Sequence, residues 1–211
     1  TTRISLNMAE YEKPSATRNQ VNKAGEDPNL DSLGVIENWR ASHSYPLNAL
    51  HMTFRNRVRR IDPSALTAQR LKRYKSISRK LQRFPSMKLA RMQDIGGCRA
   101  VVADLQKLQN IADLYHLRPI ASELSDEKNY VSFPKDDGYR GLHLVYKFHG
   151  RGSATPWDKL LIELQIRTRV QHAWATAVET VDAFTGDELK FGKGTPMWRR
   201  FFLLAAACHS K

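Results

Sequence analysis

The stretch from Leu160 to Arg167 constrains this chain more than any other. Leu160, Ile162, Leu164 and Ile166 alternate with Leu161, Glu163, Gln165 and Arg167, and a period of two is that of a β-strand, whose successive side chains point to opposite faces. One face is aliphatic throughout and must be covered by helices. The other carries a glutamate, a glutamine and an arginine, neighbours about 7 Å apart along the strand. A carboxylate set between Ile162 and Leu164 loses solvation unless it is paired or coordinates a cation, so this polar row marks a site.

A second alternation precedes it: Leu142, Leu144, Tyr146 and Phe148 against His143, Val145, Lys147 and His149. Upstream, Ile95–Ala103 reads as a strand interrupted by Gly96-Gly97, and Leu66–Tyr74 as a strand with Arg70 and Lys72 at alternate positions. Helical spacings run from Val35 to His43, then from Pro46 through Leu47, Leu50, Phe54, Val58 and Ile61, ending at Asp62-Pro63. Ser76 is expected to cap a short basic helix that Phe84-Pro85 stops. Leu105, Leu108, Ala112 and Tyr115 place another helix, and Asp136-Asp137-Gly138 a turn. Val170, Ala173, Trp174, Ala177, Val178 and Val181 mark an amphipathic helix in which Trp174 reads as core, and a last helix begins near Trp198. Strands separated by helices and a turn predict an α+β (mixed α/β) fold around one sheet.

The expected organisation is a loosely ordered arm over residues 1–33, with at most a short helix between Ala16 and Ala24. N-terminal helices follow over 34–62, a core over 63–184 and a C-terminal helix over 185–211. The apolar run Phe201–Cys208 stops three residues before the end, which predicts a domain trimmed from a longer protein. No apolar run reaches the ~18 residues of a membrane span, and no basic-then-apolar leader opens the chain; a cytoplasmic location and no membrane partner are the expectation. Cys98 and Cys208 cannot build a disulfide framework or a four-ligand zinc site. The histidines show neither His-Glu-x-x-His spacing nor an adjacent His-Asp pair, so no hydrolase centre is expected.

The net charge of +13 is local. Residues 51–93 hold 13 Lys or Arg against one acid, Asp62, while the remaining 168 residues balance 21 basic against 20 acidic side chains. A polyanion is expected to meet this stretch, with a solvated helix face as the bland alternative. Asp94 and Glu163 are then two carboxylates beside a basic segment, the parts that phosphoryl-type transfer needs: hard oxygen ligands for magnesium, cations for phosphates and a group to activate a hydroxyl. Asp94 alone is equally an ordinary strand-start aspartate. Neither a P-loop nor a Gly-x-Gly-x-x-Gly loop is present, so side chains must grip any nucleotide. Tyr139 and Arg140, on the turn Gly138–Gly141, offer a stacking face, although on its own Tyr139 reads more simply as an ordinary turn or core tyrosine.

Taken together, four motifs resemble the RelA/SpoT family of nucleotide pyrophosphokinases, the alarmone synthetase domain. They are Arg70-Leu71-Lys72 with Ser76–Leu81; Asp94-Ile95-Gly96-Gly97-Cys98-Arg99; Pro134–His143; and Glu163–Thr168 leading into Gln171–Ala175. The resemblance covers about residues 66–180. It implies a nucleotidyltransferase-like mixed sheet flanked by helices, in a small synthetase without the hydrolase and regulatory domains of longer members. It also implies transfer of the β,γ-pyrophosphate of ATP to the 3′-hydroxyl of GDP or GTP with magnesium, making the alarmone (p)ppGpp. By the same resemblance Arg70 would lie near the adenine, while Lys72, Ser76 and Lys80 would hold the ATP phosphates. Asp94 would bind magnesium, and Glu163 would share the metal or take the hydroxyl proton. Tyr139 would stack on the acceptor base, supported by Lys135, His143 and Gln165.

The chain departs from the family pattern at Asp137, usually Asn, and at Gly141, usually Ser. An anion near the acceptor's phosphates would repel them, so these departures bear on acceptor identity more than on reaction type. The surplus cations Arg55, Arg57, Arg59, Arg60, Lys88 and Arg91 motivate a toxin-type relative that modifies the 3′ adenosine of tRNA as the alternative. A catalytically dead RNA-binding module is a third reading, against which the retention of both carboxylates argues. A homo-oligomer and an antitoxin partner are left open.

Overall fold

The computed structural model describes residues 10–186, 189 and 193–208. Five strands form one mixed sheet: β1 (Leu66–Leu71), β2 (Gly96–Val102), β3 (Glu123–Asn129), β4 (Leu142–Lys147) and β5 (Leu161–Thr168), in the order β1-β2-β5-β4-β3. Only β2 and β5 run parallel. The seven helices of the described residues are α1 (Arg18–Glu26), α2 (Leu30–Ser42), α3 (Ser44–Ile61), α4 (Tyr74–Arg83), α5 (Leu105–Leu117), α6 (Arg169–Thr185) and α7 (Pro196–Cys208). This is the mixed α/β sheet flanked by helices that the alternations predict. None of these helices is long and apolar enough to cross a membrane.

The aliphatic face of the sheet, with Ile162, Leu164, Ile166, Leu142, Leu144 and Tyr146, packs on α3 and α5 through Leu47, Leu50, Phe54, Ile111 and Tyr115. Gly96 lets α3 come close. A Cβ at that position would stand 2.6 Å from Ile162 Cδ1 and 3.5 Å from Leu47 Cβ. The glycine pair therefore opens β2 and does not interrupt it. Asp62 ties the end of α3 to the sheet, accepting from Ala103 N at 2.8 Å and from the Ser64 hydroxyl at 2.7 Å.

Three expectations are corrected. The segment 10–33 is not a loose arm: Val21 is fully buried in the main core, Trp157 donates its indole N–H to Glu12 O at 2.7 Å, and Asn38 bonds Lys13 O and Ser15 N. Breaker residues there shape turns that are pinned by the rest of the molecule; residues 1–9 lie outside the described residues. The helix expected from Val35 begins five residues earlier, at Leu30, because Asn29 and Ser32 form a capping box. Ser76 does not cap α4; Arg73 stands at that position and Ser76 is the third residue of the helix. β3 has no counterpart in the sequence reading, since Glu-Leu-Ser-Asp-Glu-Lys-Asn has one apolar side chain. It forms as an edge strand, held on one side by β4, where charged residues are at home.

Candidate active site

The polar face of β5 carries a closed ring of hydrogen bonds. Gln165 Nε2 donates to Glu163 Oε2 at 2.6 Å, and Arg167 Nη2 donates to Gln165 Oε1 at 3.1 Å. Arg167 Nε also donates to the Tyr139 hydroxyl at 3.0 Å. That hydroxyl lies 2.6 Å from His143 Nε2, and His143 Nδ1 lies 2.9 Å from Glu163 Oε1. Nδ1–H donates to the carboxylate, and the Tyr139 hydroxyl, with one hydrogen and two lone pairs, can serve Nε2 as donor or acceptor. Two polar arms thus join one cation, Arg167, to one anion, Glu163. Strand register makes this possible, because His143 pairs with Gln165 across β4 and β5.

Glu163 is buried. Burial pushes its pKa up and nearby Asp94 adds to that, yet the hydrogen bond and the charge of His143, with the Gln165 bond, outweigh both and leave it below the usual glutamate value. Asp94 sits before β2, and the bond from Lys72 N to Ile95 O at 2.7 Å extends the β1–β2 ladder far enough to bring Lys72 beside it. Lys72 Nζ is 2.7 Å from Asp94 Oδ2 and Lys80 Nζ 2.9 Å from Oδ1. Lys80 reaches over from α4, which Ile77 and Leu81 anchor in the core. Burial raises the Asp94 pKa, but the two ammonium groups prevail and hold it at about 2.

The structure therefore brings Asp94, Lys72, Lys80, Glu163, Gln165, His143 and Tyr139 into one region. Arg70 is exposed on β1 opposite Gly97, which in turn pairs with Glu163. Ser76 lies one turn before Lys80 on α4. Lys135 sits over the rings of Tyr130 and Tyr139, 4.7 and 5.1 Å from their centroids. Arg99 is the residue sequence reasoning missed. It approaches Gln165 Oε1 at 3.4 Å, Arg167 and Arg70 lower its pKa after burial has done so, and its Nε is buried with no hydrogen-bond partner. A period of two in β2 would have put it on the polar face with Gly97, had the pairing register been readable.

Beside the ring a cleft of about 380 Å³ opens between the 135–140 loop, α6 and α7. Tyr139 and Arg167 line it together with Trp174, Phe202, Asp136 and Asp137. Trp174, expected as core, does both jobs: its ring packs on Phe202 and it faces the cleft. Asp137 Oδ1 accepts from Tyr139 N at 2.9 Å, so this departure from the family pattern also shapes the turn.

A mixed sheet bearing two ionised carboxylates, lysines and arginines, with a cleft beside them, presents charges suited to a polyanion. The profile of the region found in RelA/SpoT proteins matches residues 69–182, more than half of the chain. The chain belongs to the RelA/SpoT family. Among curated relatives it is 29% identical over 116 residues to the GTP pyrophosphokinase YjbM of Bacillus subtilis (strain 168), covering 54% of each chain. It is 27% identical over 166 residues to the GTP pyrophosphokinase YwaC of the same organism, covering 69% of this chain and 75% of that protein. It thus spans about half the length of the first relative and three quarters of the second. The fold is similar to that of small alarmone synthetase 2 from Bacillus subtilis, with a TM-score of 0.68 and 21% identity over 82% of this chain and 90% of that one. It is also similar to small alarmone synthetase 1 from the same organism bound to its product pppGpp, with a TM-score of 0.65 and 22% identity over 79% and 86%.

Proposed function

We propose that this chain is an ATP:guanosine-nucleotide 3′-pyrophosphokinase that makes the alarmone (p)ppGpp from ATP and GDP or GTP. The observation that carries the reading is the meeting of the Glu163 ring with the Asp94–Lys72–Lys80 cluster on one sheet face, within the residues the family profile matches. Lys72 and Lys80, with Ser76, would grip the ATP phosphates, with Arg70 beside the adenine. Tyr139, Lys135, His143 and Gln165 would position the acceptor.

In the reaction the acceptor's 3′ oxygen attacks the β-phosphorus of ATP. The O3′–Pβ bond forms, the bond from Pβ to the α,β-bridging oxygen breaks, and AMP leaves with that oxygen. Each oxygen of Glu163 accepts one bond within the ring and keeps a lone pair, so the carboxylate can also accept the 3′-hydroxyl. Its low pKa makes it a weak base, so the proton passes to Glu163 only as the O3′–Pβ bond forms, and from there to solvent. The ring fixes the carboxylate's rotamer, and orientation of this kind supplies much of the rate in phosphoryl-type transfer.

Magnesium fits these residues. Among the described residues no group of three His, Cys, Asp or Glu side chains is placed to hold a metal, but magnesium is commonly bound by one or two carboxylates and substrate phosphates together. Asp94 and Glu163 would hold it, and when bound it would neutralise charge on the transferring phosphates.

The test is incubation with magnesium and γ-labelled ATP against GDP, GTP, ADP and deacylated tRNA in separate reactions. Label is expected on GDP or GTP. Label on tRNA alone would overturn the assignment of the acceptor, and no transfer to any acceptor would overturn the activity.

A further inference from the structure

The cleft beside Tyr139 has a wall that the family profile does not cover. Its matched residues end at 182, whereas α7 begins at Pro196. α7 is seated by its inner side: Trp174 donates its indole N–H to Phe202 O at 2.9 Å, and Phe202 and Ala206 are buried against α6. The acceptor turn rests on the same side. Gly138 has φ of +89°, and a Cβ there would stand 2.6 Å from Ala206 Cβ. So seated, α7 turns Pro196, Arg199, Arg200 and Leu203 into the cleft, residues at spacings of three and four that share one helical stripe. Both arginines are exposed, and among the described residues neither guanidinium makes a hydrogen bond or ion pair.

We propose that Arg199 and Arg200 grip the 5′-phosphates of the acceptor nucleotide. The inference rests on the pyrophosphokinase reading, which puts the acceptor's 3′-hydroxyl at Glu163. From Glu163 the ring leads through Gln165 and His143 to Arg167 and Tyr139, the two members that also line the cleft. The 3′-hydroxyl and the 5′-phosphates leave a ribose in different directions, so an acceptor with its 3′ oxygen at Glu163 extends its phosphates along the cleft and away from the ring. There, among the described residues that line the cleft, the unpaired cations are those of α7. Asp136 and Asp137 stand on the loop side of the same cleft and Glu179 on its α6 side, which biases an anion toward α7. Guanidinium groups suit the task because their planar fork meets phosphate oxygens two at a time.

The experiment compares the unaltered protein with the double variant Arg199→Ala/Arg200→Ala on GMP, GDP and GTP, by label transfer and by calorimetric binding of each nucleotide. The expected result is a GDP KM and dissociation constant raised by about tenfold or more, with ATP KM unchanged and kcat at saturating GDP within about threefold. The preference for GDP over GMP should shrink, and Arg199→Lys/Arg200→Lys should restore part of it. Leu204→Ser, on the outer side of α7, should leave the GDP KM where it was. An unchanged GDP KM in the double alanine variant overturns the proposal while leaving the activity intact. So does an equal loss for GMP and GDP, which would mean the arginines only seat the helix. If the unaltered protein neither binds nor uses GDP, both the acceptor reading and this inference fail.

Discussion

The polar face of the sheet and the α6–α7 cleft are built to different standards. Glu163, Gln165, Arg167 and His143 stand on strands whose opposite faces are sunk in a core that extends from Val21 to Ile166. α7 rests on a separate cluster of six buried residues, Trp174, Ala175, Val178, Leu189, Phe202 and Ala206, and leaves Met197, Phe201 and Leu204 largely exposed. The contrast teaches where precision is needed. Groups proposed to meet the reacting atoms are fixed by backbone ladders, while the wall proposed to meet the far end of the acceptor is carried on an element with little to hold it.

Glu163→Gln breaks the first region from within. An amide offers only one acceptor oxygen to the two donors His143 Nδ1–H and Gln165 Nε2–H, and it removes the charge. We expect label transfer to fall by roughly a thousandfold or more, with a stability loss of about 1–3 kcal/mol from the unpaired donor. Full activity in this variant would refute the role assigned to Glu163. A loss matched by unfolding, seen in thermal melts, would make the residue structural only.

Two phenylalanine truncations then compare the regions directly. Phe54 is fully buried between α3 and α5, and Phe54→Ala is expected to cost about 3–5 kcal/mol of global stability by denaturant unfolding. Phe202 lies in the small cluster, so the cost of Phe202→Ala is limited by the docking free energy of α7. The helix should loosen before the sheet does. Amide exchange in α7 should speed up, and GDP KM should rise while ATP KM stays put, with the global midpoint lowered by about 1 kcal/mol or less. A global loss as large as that of Phe54→Ala would show that the two clusters are one cooperative unit.

How much of this was legible follows from the physics of each element. Strands β4 and β5 announce themselves because one face is buried and the other is not, and the same alternation exposed Glu163, Gln165 and Arg167 as a row. The ring they close with His143 and Tyr139 was not legible: it depends on the register of β4 against β5 and on a turn folding back, both set by long-range contacts. Arg99 was missed for the same reason. β3 escaped because an edge strand needs no hydrophobic face, and the order of residues 10–33 escaped because Tyr11, Glu12 and Lys13 are held by Asn48, Trp157 and Asn38 far along the chain. Motif residues carry chemistry in sequence, whereas the α7 arginines carry none until the helix is seated beside Tyr139.

The gentlest probe of the comparison is acidification, read at one buried histidine of the main core. His43 joins α2 to α3 and is buried, its Nδ1 donating to Trp39 O at 2.7 Å. Burial lowers its pKa to about 4; the Trp39 carbonyl works against that shift, and the charge of Arg18 adds to it. In the unfolded chain an ordinary histidine takes up its proton near 6.5. Between those values the unfolded state binds more protons than the folded one, so stability is full above about pH 6.5 and declines as the pH falls toward 4. The two values correspond to on the order of 3 kcal/mol if no other group responds. Denaturant midpoints measured from pH 7 to 4 should therefore fall, and His43→Asn should flatten that slope while lowering stability at pH 7. His172, on the helix that seats α7, also has its pKa lowered by burial and by Arg99 and Arg167, so the comparison is made at fixed pH: amide exchange of α7 should not change with His43→Asn. If it does, the helix is coupled to the core through the sheet, and the separation between the two regions is weaker than their packing implies.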